Sequence, residues 1–356
     1  MKTSIQVGTA GAFGLDWAST VAYVQAAEQL GVDYIWSAEA WGQDAVTPLA
    51  YLAAKTDRVV FGTGIMQISA RTPAMTAMTA MTMATITDDR FVLGLGVSGP
   101  QVVEGMHGMP FDPPLARLRE TVEVIKLGLS GQKIDYQGKH HVFPLPGGEG
   151  KPIAIDQRPR PDLPIYLATL GPRSLRYTGE VADGWLGTTF IPERADAVFP
   201  HIGEGAARAG RSLHTLDLQV GGRLDIGDDV DAMVERMRPQ MAFQLGGMGS
   251  PTRNFYNDCY RRAGFEEAAR DVQQLWVERR RKEAAARVPA EMILCSNLIG
   301  TKDMVRERIE VYREAGVDTI RLYPVGNSID EQLGVLEQAV SLVREVTAAS
   351  APPSAD

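Results

Sequence analysis

What most constrains this chain is an alternation that runs along nearly its whole length. Short β-rich runs are each followed, after a loop, by a stretch with helical spacing of apolar residues. Ile5 and Val7 lead into Gly8-Thr-Ala-Gly11 as a first strand and its loop. Asp16 then caps a helix carrying Trp17, Val21, Val24, Ala27 and Leu30 that stops at Gly31. Asp33–Ser37 is a second strand, with a helix expected around Val46–Lys55. Arg58–Ile65 is a third, its helix opening at Pro73. Phe91–Gly96 is a fourth, with a helix from Leu115 to Leu129. The cycle resumes with Leu163–Ala168 and a helix opened by Gly171-Pro172, then Gly184–Leu186 and a helix over Glu193–Ala209. Leu216–Leu224, a strand-like Met292–Leu294 and Val317–Tyr323 complete the strands. The last helices are capped by Thr301 and run near Ile329–Val346.

About eight strand–helix units specify a parallel sheet with helices outside it, and the expected fold is α/β, a (β/α)8 TIM barrel. Two stretches interrupt it as rim insertions: a hairpin and Gly/Pro-rich loop at about 130–162, and a helical segment at about 228–290. A single domain over 1–347 is expected, with a small, Pro-rich tail at 348–356 expected to be disordered.

Composition narrows the function. A net charge of -8 argues against a nucleic-acid partner. No apolar run approaches the ~20 residues of a membrane span, and the N-terminus lacks a signal-peptide core. Cys259 and Cys295 make no disulfide framework, so a cytoplasmic protein is expected. The five histidines show no ligand spacing and no metal is implied; His140-His141 in the hairpin is expected to be solvated. Arg279–Lys282 reads as a solvated helix face. Met75, Met78 and Met81 read as core or subunit contact.

In such barrels function sits at the C-terminal ends of the strands, and here those loops are rich in glycine, hydroxyl, aromatic and apolar residues. Phe91-Val-Leu-Gly-Leu-Gly-Val-Ser-Gly-Pro100 ends a buried strand in a phosphate-sized loop. Its glycines satisfy G-x-G-x-x-G, but the glycines and prolines after Pro100 delay a convincing helix to Leu115, unlike a dinucleotide fold. Gly171-Pro-Arg-Ser-Leu opens a helix directly after a strand, either an anion seat with Arg173 adding charge or an ordinary turn. Gly62-Thr-Gly-Ile65 marks a bulge, a ligand pressed on backbone, or helix packing. Past the second strand, Glu39 reads as a hydrogen-bonding or proton-handling group and Trp41 as a wall for an aromatic cofactor; the alternatives are a surface carboxylate and a packing residue. Trp185 reads more readily as core than as site.

Together Gly62–Ile65, Phe91–Gly99, Leu167–Leu175 with Ala182–Trp185, Asn254–Asp258 and Gly300–Asp318 resemble the luciferase-like monooxygenase superfamily. The resemblance covers roughly residues 4–346 and is to its branch using the deazaflavin coenzyme F420. It implies a homodimeric TIM barrel and a non-proline cis peptide at Gly64–Ile65 behind the deazaflavin ring. It also implies that Val97, Ser98 and Gly99, with Ala168, Thr169, Leu170, Gly171, Pro172 and Arg173, hold the cofactor's phosphate and sugar-like chain, and that Trp185 belongs to this set. The implied reaction is hydride transfer between F420 and a small organic substrate, expected as a reductase acting on an apolar or unsaturated compound, with the two insertions as its lid. Two family residues are absent. Ala40 stands where many relatives have histidine, and Pro100 where sugar-phosphate dehydrogenases of the family have glutamate, which argues against a sugar phosphate. The rivals are an FMN-dependent monooxygenase and an F420-binding protein without turnover.

Overall fold

A computed structural model describes residues 1–7 and 16–349; the Gly8–Phe13 loop and all but the first two residues of the expected disordered tail lie outside them. In chain order the elements begin β1 (Lys2–Val7), α1 (Trp17–Leu30), β2 (Tyr34–Ser37), α2 (Val46–Ala53), β3 (Val60–Thr63), β4 (Met66–Gln67) and α3 (Pro73–Ile86). Next come β5 (Phe91–Gly96), α4 (Pro100–Val103), α5 (Pro114–Leu129), β6 (Tyr136–Gln137), β7 (Val142–Phe143), β8 (Ile165–Leu167), α6 (Pro172–Val181) and β9 (Gly184–Leu186). Then follow α7 (Phe199–Arg208), β10 (Asp217–Ile226), α8 (Val230–Gly246), α9 (Phe255–Arg262), α10 (Glu266–Val277), α11 (Arg281–Arg287) and α12 (Ala290–Ser296). The chain closes with β11 (Leu298–Gly300), α13 (Lys302–Glu314), β12 (Thr319–Pro324) and α14 (Ile329–Ala348). Parallel strands alternating with helices make this the (β/α)8 class.

The described residues fall into two compact units, one of 1–6, 16–34 and 169–349 and the other of 7 and 35–168. Within the second, β5 lies between β3 and β8, pairing Phe61 with Phe91 and Leu93 with Ile165; β4 continues on β5, with Gln67 opposite Gly96. Every residue of β5 is buried. Gly62 has no Cβ for a stated reason: one built there would lie 2.2 Å from the Trp36 ring. Thr63 Oγ1 donates to the Gly94 carbonyl and accepts from its N–H, at 2.8 and 2.9 Å, which locks β3 to β5 in register. The hairpin β6–β7 forms as expected.

Within the first unit, β12 pairs with β1 and β10, and β10 also with β9 and β11, all parallel. Ile5, Val220, Leu224, Ile320 and Leu322 on one face of these strands are fully buried under helices such as α14. Helix α1 starts at Asp16, whose carboxylate accepts from the Ala18 and Ser19 N–H groups, and ends at left-handed Gly31. The 228–290 insertion is helical and packs α8, α10 and α11 around Met241, Leu245, Val272 and Ala284.

Four local expectations fail. Met292–Leu294 is helix, not strand: Met292 and Ile293 are buried in the core of the insertion, and the strand begins at Leu298. A one-turn helix opens at Pro100, directly after Gly99, because proline suits a first helical turn; Gly105 and Gly108 then break it. Arg279 and Arg280 lie in the break between α10 and α11 and not on a helix, with Arg279 at φ +64°; all of 279–282 are exposed, and Arg281, opening α11, stacks 3.6 Å above the Trp276 ring. His141 is half-buried and within 3.0 Å of Thr121 Oγ1, since Glu120 accepts from the backbone N–H groups of residues 139–141 and draws the hairpin onto α5. Of the three methionines only Met81 is core; Met75 and Met78 are 49% and 41% exposed.

Candidate functional site

In the second unit the site residues gather where β3 passes into β4. The Gly64–Ile65 peptide is cis. Gly64 N–H donates to the Ser37 carbonyl at 2.6 Å, and Glu39 N–H donates to the Ile65 carbonyl at 3.1 Å. The Glu39 side chain, 8% exposed, then closes a second ring around the same segment. Its Oε1 accepts from Gln67 N–H at 3.0 Å and from Arg71 Nη1 at 2.7 Å; Oε2 accepts from Ala45 N–H at 3.2 Å. Both oxygens are engaged in holding backbone, so Glu39 is a buried clamp and not a surface carboxylate. Trp41, by contrast, is 56% exposed.

Gln67, 2% exposed, carries the arrangement onward. Its Nε2 is 2.6 Å from His107 Nε2, and its Oε1 accepts from Ser69 Oγ at 3.0 Å. Gly96 faces the Ile65 side chain, which would lie 3.1 Å from a Cβ at that position, with the Ala168 Cβ 3.6 Å away. Ser98 follows at φ +59°, and Gly99 caps α4 with its carbonyl. Ile68, Ser69, Val97, Val103, Phe111 and Arg117 line a small crevice beside this loop.

In the first unit Thr169–Arg173 is braced from behind. Trp185, 1% exposed and edge-on to Phe190 and Phe199, is core; its Nε1–H donates to the Thr169 carbonyl at 2.9 Å. The Thr169 and Thr178 hydroxyls share a 2.6 Å hydrogen bond, and Arg262 Nη2 donates to the Leu170 carbonyl at 2.7 Å. Arg262 also reaches Cys259, whose thiol burial pushes up. Helix α6 starts at Gly171 with no side-chain cap, leaving the first-turn N–H groups of Arg173 and Ser174 pointing out of the helix end. A Cβ at Gly171 would meet only Ser174 Oγ at 3.7 Å, so the approach is open. Arg173 is exposed and has no ion pair among the described residues. This is a donor set suited to a phosphate.

Sequence reasoning missed Gln67, Arg71, His107 and Arg262. None carries a spacing signal, because each acts on a partner 28 to 92 residues away.

In this parallel β/α protein the second unit carries a pinned turn at Gly64–Gln67 and the first an open helix N-terminus at Gly171. The luciferase-like monooxygenase family model matches residues 1–319, and the chain belongs to that family. It is 38% identical over 325 residues to a Mycobacterium tuberculosis protein provisionally named coenzyme F420-dependent oxidoreductase Rv3520c, covering 89% of this chain and 93% of the relative. It is 30% identical to 5,10-methylenetetrahydromethanopterin reductase of Archaeoglobus fulgidus, covering 84% and 87%. The solved coenzyme F420-dependent tetrahydromethanopterin reductase of Methanopyrus kandleri superposes with a TM-score of 0.77 at 25% identity, over 97% and 98% of the two chains. The chain is an oxidoreductase of this class.

Proposed function

We propose that this chain is an F420-dependent oxidoreductase, working as a reductase of a small organic substrate. The observation that carries the reading is the open N-terminus of α6 with Arg173 in its first turn, in a chain whose relatives are named for F420. The donor set fits the group: backbone N–H groups and a free guanidinium suit a phosphodiester, and a glycine-rich strand end suits a flat ring. When bound, F420 would supply hydride exchange at C5 of its deazaflavin ring.

The protein's part is positional. Thr169–Arg173 and Val97–Gly99 hold the anionic chain, while Gly64 and Ile65 back the ring on a segment that Glu39 keeps in place. Glu39 is therefore a positioning residue, and Trp41 is free to lie along a substrate. One domain over 1–347, a homodimer and a cytoplasmic setting complete the proposal.

Titrating the protein with F420 and separately with FMN, followed by fluorescence, tests it. Micromolar or tighter F420 binding with little FMN binding supports the reading. The reverse preference moves the chain to the flavin monooxygenases. F420 binding with no oxidation of F420H2 across a substrate panel makes it a binding protein without turnover.

A further inference from the structure

The two faces of the β1–β12–β10 strands differ sharply. One is the apolar face under the helices. On the other, Ser4 sits opposite Arg321 and Arg223 opposite Tyr323, with Gln219 on the same side of β10. Arg321 is buried and satisfied: Nη1 donates to the Gly187 carbonyl at 3.2 Å and Nη2 to Gln6 Oε1 at 3.5 Å.

Arg223 lies further toward the C-terminal end of its strand, the end at which such barrels bind ligands. It is half-buried, yet among the described residues its guanidinium makes no hydrogen bond or ion pair. Asp225, two residues along, is held by Arg236 at 2.8 Å. Desolvation draws the Arg223 pKa below the ordinary arginine value, with Tyr323 opposing it. Tyr256, on α9, shares that neighbour; burial raises its pKa, and its hydroxyl also has no partner among the described residues. Arg71 by contrast has Glu39, Arg308 has Glu193, and Arg262 and Arg321 have carbonyls.

A partly desolvated guanidinium without an anion is unfavourable for folding. With the Tyr323 phenol opposite it on β12, and Tyr256 near that phenol, it matches what carboxylate and phosphate recognition requires. We propose that Arg223, with Tyr256 and Tyr323, binds an anionic group, a carboxylate or phosphate, of the substrate that this oxidoreductase acts on. The inference rests on the function proposed above and adds a charged end to a substrate that sequence reasoning expected to be apolar.

The test is a 19F NMR titration of the full chain with F420 bound, using trifluoroacetate and monofluorophosphate as anionic probes and trifluoroethanol as a neutral control. Wild type should bind at least one anion and not the alcohol. Arg223→Met should weaken that binding about 10- to 100-fold, the range for hydrogen bonds to charged groups, and leave F420 affinity within about twofold. Arg223→Lys should retain part of it, and Tyr256→Phe should weaken it less than Arg223→Met. The latter two variants answer the question if Arg223→Met does not fold. Anion binding that is absent in wild type, or unchanged in the variants, overturns the proposal. A loss of F420 affinity in Arg223→Met also overturns it, because the anion would then belong to the cofactor. If wild type binds no F420 while the Arg223-dependent anion binding persists, the cofactor assignment fails and the subsite stands.

Discussion

Glu39→Gln separates holding backbone from donating a proton. The carboxylate accepts from two backbone N–H groups and one guanidinium at 8% exposure. The amide keeps the shape but loses the charge, so the backbone N–H bonds are no longer charge-assisted, Arg71 loses its counter-ion, and the NH2 end must face a donor. A charge-assisted bond contributes about 1.5–3 kcal/mol and a neutral one about 1, while a buried donor left unmade costs about 1–3. Arg71 is 21% exposed, so water recovers part of its loss. A net destabilisation of about 3 kcal/mol is expected. With an unfolding entropy of about 2.1 cal/mol/K per residue, that lowers Tm by roughly 4 °C in a chain of 356 residues. The freed Ile65–Gln67 segment should weaken F420 binding, read by fluorescence, and slow turnover. The shape of the pH–rate profile should stay as in wild type, since a positioning residue moves no limb of it. A variant that melts and binds F420 like wild type, yet loses turnover together with one limb of that profile, would refute the clamp and make Glu39 the acid.

Three further outcomes are expected. Arg173→Ala should weaken F420 binding about tenfold, mainly at low salt, because the side chain is exposed and screened; salt-independent affinity equal to wild type would remove Arg173 from the anion seat. Trp185→Phe keeps the aromatic core but loses the bond to the Thr169 carbonyl; about 1–2 kcal/mol of stability should go, with faster hydrogen exchange at Thr169–Arg173, and unchanged exchange there would reduce Trp185 to packing alone. Burial, with Arg117 and His140, lowers the His141 pKa from its ordinary 6.5 against the opposing pull of Glu120. The unfolded chain therefore takes the proton first: His141's contribution is complete above pH 6.5 and is lost as pH falls toward the lower folded value. Protection factors over 136–143, the exchange rates corrected for the intrinsic rate at each pH, should fall between pH 7.5 and 5.5, and His141→Gln should flatten that dependence.

The fold was legible because its signals are local. Asp16 and Gly31 bound α1, Thr301 caps α13, and the buried run at Phe91–Gly96 could be little else than an interior strand. Met292–Leu294 misled because three apolar residues suit a strand or a buried helix equally, and only the insertion's core decides between them. The glycine-rich loops and Gly171-Pro172 could be found from sequence, being backbone features announced by residue type. Side-chain roles could not. Glu39 reads alike as acid or clamp until Gln67 and Arg71 are seen around it, and His107 gains meaning only from Gln67.

A buried polar group needs a partner, so its state of engagement indicates whether it serves the fold or a ligand. Glu39, Gln67, Thr169 and Arg262 all have partners within the chain. Glu39 holds backbone at Ala45 and Gln67, and Arg262 with Trp185 holds it at 169–170, which is the work of a rigid seat. Among the described residues the first-turn N–H groups of α6, Arg173 and Arg223 have no such partner, and all are donors. Donors without acceptors favour anions. If one set meets the phosphate of a cofactor, the other, on β10, has an acceptor still to be supplied. An uncharged substrate would leave Arg223 desolvated and unpaired throughout the reaction. The acid form of a substrate pair should therefore outcompete its amide in kcat/KM, with the preference lost in Arg223→Met.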